Sequence, residues 1–377
     1  MRTIQDIKVL ENVSVLVRTS LNVPVENGKV ENTFRLKAAL PTIAYLQERH
    51  ARVILISHIT GKGTETLEPM YKAMREWVPN LSFCPVSTGP QARQAVRDLM
   101  PGHVLMLENL RRNVGEEKND PELAKELSML ADVFVQDSFD TCHRKHASIV
   151  GVPELLPSYA GFTVEAEVYE LSKALKPKHP AVAIIGGAKF STKEPVLKVL
   201  LKTYDRVFVG GALANDFLKA KGFSVGASLV SDEGQTGIRE LLKNKRLVTP
   251  SDVIVAPPNT DRKEGHVVSV SDIPENEAVL DAGPQTAEEL VQLVTKSKMV
   301  LWNGPLGLFE HGFVDSTRTL IRAVAASKTH SIIGGGDTVE AIEELGVRAE
   351  FSFISTGGGA MLDYLAYGTL PGLQALR

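Results

Sequence analysis

One unit recurs along the chain: a short, unbroken apolar run that stops at a glycine or a charged residue, then residues with helical periodicity. Such runs occupy residues 13–17, 52–56, 103–106 and 133–135 in the first half. In the second they occupy 181–185, 207–209, 253–256, 299–301, 331–333 and 351–354. Unbroken, β-branched runs are strands buried on both faces, not the half-solvated strands of an antiparallel sheet. Strands alternating with helices imply parallel sheets covered on both sides. So many strands exceed one ordinary sheet, and 377 residues are enough for two cores.

The expected fold is therefore α/β: two doubly wound, parallel-sheet (Rossmann-like) domains joined by a hinge helix. The boundary falls within 153–180, where Pro-bearing turns flank one helical stretch with Val168, Leu171 and Leu175 on one face. This predicts an N-terminal domain over 1–163, a hinge helix over 164–176 and a second domain over 177–362. Helix starts are legible at Asp120-Pro121-Glu122, an N-cap followed by proline and an acid. Capping boxes are read at Ser191/Glu194 and Thr286/Glu289. A net charge of −3 gives no basic field for nucleic acid. No apolar run nears the ~20 residues of a membrane helix. Two cysteines, Cys84 and Cys142, and an N-terminus without an apolar signal core predict a cytoplasmic protein. Nothing argues for a large association surface, so a monomer is expected.

Ligands of parallel α/β sheets bind beyond the carboxyl ends of the strands. In the first half those ends carry Arg18 and Asn22, His58, Glu108-Asn109, Arg111-Arg112, Asp137, His143, Arg144 and His146, with Arg35 after a glycine-bearing turn. Guanidinium forks suit carboxylate and phosphate, so a small, multiply charged anion is expected there. In the second half the strand ends carry glycine: Gly186-Gly187, Gly210-Gly211, 303–307, 334–338 and 356–359. Glycine lets backbone amides approach phosphate or a flat base. Gly186-Gly187-Ala188-Lys189 ends a strand and leads to a helix start, an anion site with Lys193 in the first turn. Asp337 either caps the following helix or holds Mg²⁺ beside phosphate. Trp302 is expected in the core, and Cys142 as a packing residue and not a nucleophile.

Taken in order, these stretches resemble the phosphoglycerate kinase family from end to end. The matching segments are 18–24, 35–42, Ser57-His58, 107–111, 137–139 and 143–148. They continue with 186–189 and Lys193, 302–305 with Phe309-Glu310, 334–338 and 355–360. The resemblance implies a hinge-bending kinase exchanging a phosphoryl group between ATP and 3-phosphoglycerate, with 1,3-bisphosphoglycerate and ADP as products. It implies that Asn22, Arg35, His58, Arg111 and Arg144 hold the phosphoglycerate, and that Arg35 and Lys189 are catalytic. It places Gly187, Ala188, Lys193, Gly210, Gly211, Asn303, Pro305, Glu310, Gly336 and Thr338 on the nucleotide, and Asp337 on Mg²⁺. It also implies that the tail, 363–377, packs back on the N-terminal domain.

The departures fall on the acid-binding half. Members carry an acid for the substrate hydroxyl where this chain has Ser20, which can still hydrogen-bond. Residues 59–63, Ile-Thr-Gly-Lys-Gly, replace a segment with a phosphate-binding arginine and leave Lys62, a point charge without a fork. Gln136 and Asp140 stand where asparagine and glycine are usual, and an inward Asp140 would repel substrate phosphate. Two other readings are a relative acting on another small carboxylate or acyl phosphate, and a non-catalytic ATP-binding protein.

Overall fold

The apolar runs of the first half become one parallel sheet. The computed structural model describes residues 1–61, 63–231, 234–258, 260 and 264–376. Its first strands are β1 (Ser14–Thr19), β2 (Val25–Glu26), β3 (Lys29–Val30), β4 (Arg52–Ile56), β5 (Leu81–Cys84), β6 (Val104–Leu107), β7 (Val133–Asp137) and β8 (Ser158–Ala160). Among the described residues the sheet order is β5-β6-β4-β1-β7-β8, with every pair parallel. All six residues of β1 are buried, the polar Ser14, Arg18 and Thr19 along with the apolar centre, as a strand covered on both faces requires. Strands β2 and β3 form a separate hairpin around Asn27 and Gly28, both at positive φ, as an Asn-Gly turn prefers. β4 and β7 flank β1 on opposite sides, so the order switches there and opens a crevice beyond its carboxyl end.

The second half supplies β9 (Ala181–Ile185), β10 (Arg206–Val209), β11 (Leu247–Val248), β12 (Asp252–Ala256), β13 (His266–Ser269), β14 (Ala278–Ala282), β15 (Met299–Asn303), β16 (His330–Gly334) and β17 (Phe353–Ile354). Its parallel sheet runs β11-β10-β9-β15-β16-β17, switching direction between β9 and β15. Only the 253–256 run departs from the parallel expectation. It is β12, the centre of an antiparallel sheet, β13-β12-β14. Val253 and Val255 pack instead on a small separate core with Leu218, Val225 and Ile273.

The chain divides into two compact units: Met1–Tyr169 with the segment from Thr369 onward, and Glu170–Gly368. The division falls inside the helix Phe162–Leu175. The helix Gly358–Tyr367 belongs to the second unit, so the tail rejoins the first at Thr369, not at 363. There the short helix Pro371–Gln374 is tied down by the Gly372 N–H, which donates to the Cys142 carbonyl at 2.8 Å.

The Asp120 N-cap forms, its carboxylate accepting the Glu122 and Leu123 amides. The two capping boxes do not. The helix Phe190–Thr203 begins one residue before Ser191, with Lys189 at its N-cap, and Glu194 pairs with Lys198 at 2.8 Å. The helix Pro284–Thr295 is capped from a strand: Asp252 accepts from the Gln285 and Thr286 amides at 3.0 and 2.7 Å. Among the described residues no helix is long and apolar enough to cross a membrane.

Candidate functional site

In the first unit the crevice at β1 gathers the basic strand ends. The Ser57 hydroxyl donates to the Thr19 carbonyl at 2.7 Å and accepts the Leu21 amide at 3.0 Å, splicing the ends of β1 and β4. That places Ser20 and Asn22 beside His58. Asn22 exchanges two hydrogen bonds with Thr60, at 3.0 and 3.1 Å. The Thr60 hydroxyl also accepts Arg111 Nη1 at 3.0 Å, and Arg35 Nη1 donates to the Asn22 carbonyl at 2.6 Å. So Asn22 and Arg111 meet at Thr60, within the 59–63 loop, and Arg35 joins them through the Asn22 carbonyl. Lys62 lies outside the described residues. Arg144 is exposed, its amide bonded to the Thr141 carbonyl on the loop after β7. Arg112 is spent on structure: it pairs with Glu108 at 3.0 Å and donates to the backbone of Thr64 and Glu65.

Ser20 is buried and donates to Asp140 Oδ2 at 2.7 Å, while the Ser138 hydroxyl holds Oδ1 at 2.6 Å. The two departures are thus one feature, a carboxylate carried to the Ser20 hydroxyl from a different loop. Beneath them Arg18 is fully buried. It donates from Nε to Ser148 Oγ at 3.0 Å, from Nη1 to the Thr19 carbonyl at 2.7 Å and from Nη2 to His58 Nδ1 at 2.9 Å. Glu116, also buried, accepts from the Ser148 hydroxyl at 2.6 Å. Burial, and then the charges of Arg18 and Arg111, hold His58 well below the usual histidine range. In the sequence Arg18 is legible only as a strand-end cation, and Glu116 carries no signal, since its partner Ser148 is distant in the chain.

In the second unit the glycine turns meet at the β9/β15 switch. A side chain at Gly186 would collide with the Pro305 carbonyl, and one at Gly211 (φ +61°) would stand 2.9 Å from the Gly187 amide. Only backbone fits between these turns, which is how they approach so closely. Beside them lies a cavity of about 390 Å³, lined by Gly187, Ala188, Gly211, Leu306, Glu310 and Asp337, with Pro305 at one wall. Its size suits a nucleoside-sized ligand. Lys189, Lys193, Gly210, Asn303, Gly336 and Thr338 stand outside this lining. Lys193 passes over the turn, its Cε 3.6 Å from where a Gly187 side chain would begin. Partial burial lowers its pKa and Asp363 opposes the shift.

Asn303 is buried and turned to the segment after β17, its amide donating to the Gly358 carbonyl at 3.3 Å. Thr338 is buried, with no hydrogen bond to its hydroxyl among the described residues. Asp337 lies in the first turn of the helix Gly336–Glu344, and Gly335 takes the N-cap. Burial and the neighbouring Glu310 raise the Asp337 carboxyl, an environment that a cation would relieve. Among the described residues no cluster of three or more His, Cys, Asp or Glu could hold a metal by itself. A single carboxylate fits Mg²⁺, which completes its shell with phosphate oxygens and water. Trp302 is fully buried, its Nε1 donating to the Gly304 carbonyl at 2.8 Å, as expected of a core residue. Cys142 is buried too, and burial pushes its thiol up, away from the thiolate a nucleophile needs.

A family model described as phosphoglycerate kinase matches residues 4–367. The chain is 43% identical to the phosphoglycerate kinase of Moorella thermoacetica, covering 99% of this chain and 98% of that one. It is 42% identical to a phosphoglycerate kinase of Thermus thermophilus over the whole of both. Among solved structures, the phosphoglycerate kinase of Pyrococcus horikoshii superposes with a TM-score of 0.90 at 31% identity, covering 100% of this chain and 98% of that one. That of Coxiella burnetii gives 0.82 at 37%, covering 99% and 98%.

Proposed function

This chain belongs to the phosphoglycerate kinase family, and from that premise we propose how its two strand-end sites divide the reaction. The enzyme moves a phosphoryl group between ATP and 3-phosphoglycerate, with 1,3-bisphosphoglycerate and ADP as products. What carries the division is the contrast between two switch points: guanidinium and imidazole at β1, glycine turns around a cavity at β9 and β15.

Asn22, Arg35, His58, Arg111 and Arg144 hold 3-phosphoglycerate. Its carboxylate and phosphate are repelled by Asp140, but its hydroxyl is not, so the Ser20–Asp140 pair receives that hydroxyl. Gly187, Ala188, Gly211, Pro305 and Glu310 hold the nucleoside in the cavity. Lys193 with Asn303, Gly336 and Thr338 borders the phosphates, and Gly210, packed against Leu306, backs the nucleoside with Gly211. Arg35 and Lys189 neutralise the transferring phosphoryl oxygens, because this chemistry asks for positioning and charge more than for a base. Asp337 holds Mg²⁺, which shields the nucleotide phosphates when bound. The helix Phe162–Leu175, shared by both units, serves as the hinge. The protein acts as a cytoplasmic monomer.

An assay of turnover with Asp140→Asn tests the acid-binding half. The KM for 3-phosphoglycerate is expected to rise about tenfold, the loss of one charge-assisted hydrogen bond, while the KM for ATP stays put. An unchanged KM for 3-phosphoglycerate removes Asp140 from the site. Scattering in solution tests the hinge: the radius of gyration contracts when both substrates are present, and a constant radius speaks against bending.

A further inference from the structure

Among the described residues Arg18 hydrogen-bonds none of the groups assigned to substrate except His58, yet it is the largest charged side chain completely enclosed in the first unit. A guanidinium has donors only and cannot give up its proton. Its Nη2 lies 2.9 Å from His58 Nδ1, so that nitrogen must present a lone pair. A proton on Nδ1 would set two N–H groups against each other. The remaining ring proton therefore resides on Nε2.

The guanidinium is not free to turn away. Ser148 Oγ fixes its Nε and the Thr19 carbonyl its Nη1, and Ser148 is in turn held by buried Glu116. Other groups reinforce the neutral ring. Arg111, His146 and Arg35 all act on His58 in the same direction as Arg18. Around Arg18 itself stand Glu116, Asp140, Arg111 and Cys142. Glu116 acts as its counter-charge through Ser148.

We propose that Arg18 is a positioning residue for the reaction: it locks His58 as the neutral Nε2–H tautomer, so that His58 meets the anionic substrate as a fixed hydrogen-bond donor. The usual view of a histidine in an anion pocket is a protonated cation that weakens as pH rises through its ordinary value. Here the donor works without titrating, and the charge that attracts the anion belongs to the arginines. This inference rests on the assignment of His58 to 3-phosphoglycerate.

Nitrogen-15 correlation spectra of the imidazoles in the substrate-free enzyme test the tautomer directly. His58 is expected to show a bare Nδ1 and a protonated Nε2, unchanged from pH 5.5 to 8. A proton on Nδ1, or a titration near the ordinary ~6.5, overturns the proposal. In Arg18→Met the spectrum should become a mixture that titrates. The KM for 3-phosphoglycerate should rise about tenfold and gain a pH dependence in the same range, with kcat changing less. A folded Arg18→Met enzyme with the wild-type tautomer and pH profile overturns it equally. If that variant does not fold, the wild-type spectra decide. His58→Gln separates the layers: an unchanged KM there sinks the substrate assignment and leaves the tautomer standing.

Discussion

Lys189 is an exposed lysine at the N-cap of the helix Phe190–Thr203, where the helix dipole repels it. A cation at such a point makes sense only against an anion. Lys189→Ala should therefore lower kcat by about 10²–10³-fold, the scale of losing one preorganised transition-state contact, and leave the KM for ATP nearly unchanged. A steady-state assay with both substrates varied checks the split. Asp137 makes a second residue-scale prediction. It lies at the end of β7, and burial raises its carboxyl from 3.8 to about 7, against the pull of the Thr163 amide. Folded protein thus binds this proton more tightly than unfolded chain does. The stabilisation is complete below about pH 4 and is lost as pH rises to about 7, on the order of 4 kcal/mol in all. Asp137→Asn should flatten that slope and melt higher than wild type at pH 8. Thermal unfolding across pH 4–8 reads both, and an unaltered slope would assign it to another group.

At the scale of elements, the cap of the helix Pro284–Thr295 is remote, supplied by Asp252 at the start of β12. Asp252→Ala orphans the Gln285 and Thr286 amides, while the Thr286 hydroxyl keeps the Asp252 carbonyl as acceptor, and should cost about 2 kcal/mol, measured by urea unfolding. Gly186→Ala drives a methyl group into the Pro305 carbonyl. Calorimetry should show ADP binding weakened at least about tenfold, since the turn must shift, with 3-phosphoglycerate binding intact. Equal loss of both ligands would mean a general collapse instead.

The same elements explain what is legible. Strands β4 and β9 fall on the boundaries their apolar runs predict, because burial on both faces leaves a run with no gaps. Strand β5, Leu-Ser-Phe-Cys, is interrupted by the exposed Ser82 and offers no such run. Strand β13, His-Val-Val-Ser, is mostly exposed, and two valines are too short a run to mark it. The basic strand ends can be read one by one. The Ser20–Asp140 bond cannot, since the two residues are joined only by the adjacency of β1 and β7. The capping box at Thr286 fails for the same reason, as a distant carboxylate outcompetes the local one.

For the whole molecule, the two units differ in chain continuity. The second is one unbroken segment, Glu170–Gly368, with the glycine turns and cavity inside it. Expressed alone, it should fold and bind ADP with the affinity of the full chain, within about threefold. The first needs the segment from Thr369, whose Gly372 packs against Cys142 and Ile149. Ending the chain at 368 should lower the melting temperature of that unit and spare nucleotide binding. The Gly372–Cys142 bond also bears on how the protein is made. A ribosome finishes residues 1–169 early, yet must thread out all of the second unit before the piece that seals the first emerges. The half synthesised first is thus the last to mature, and during that delay nascent chains present an open seam around Cys142 that chaperones would be expected to guard.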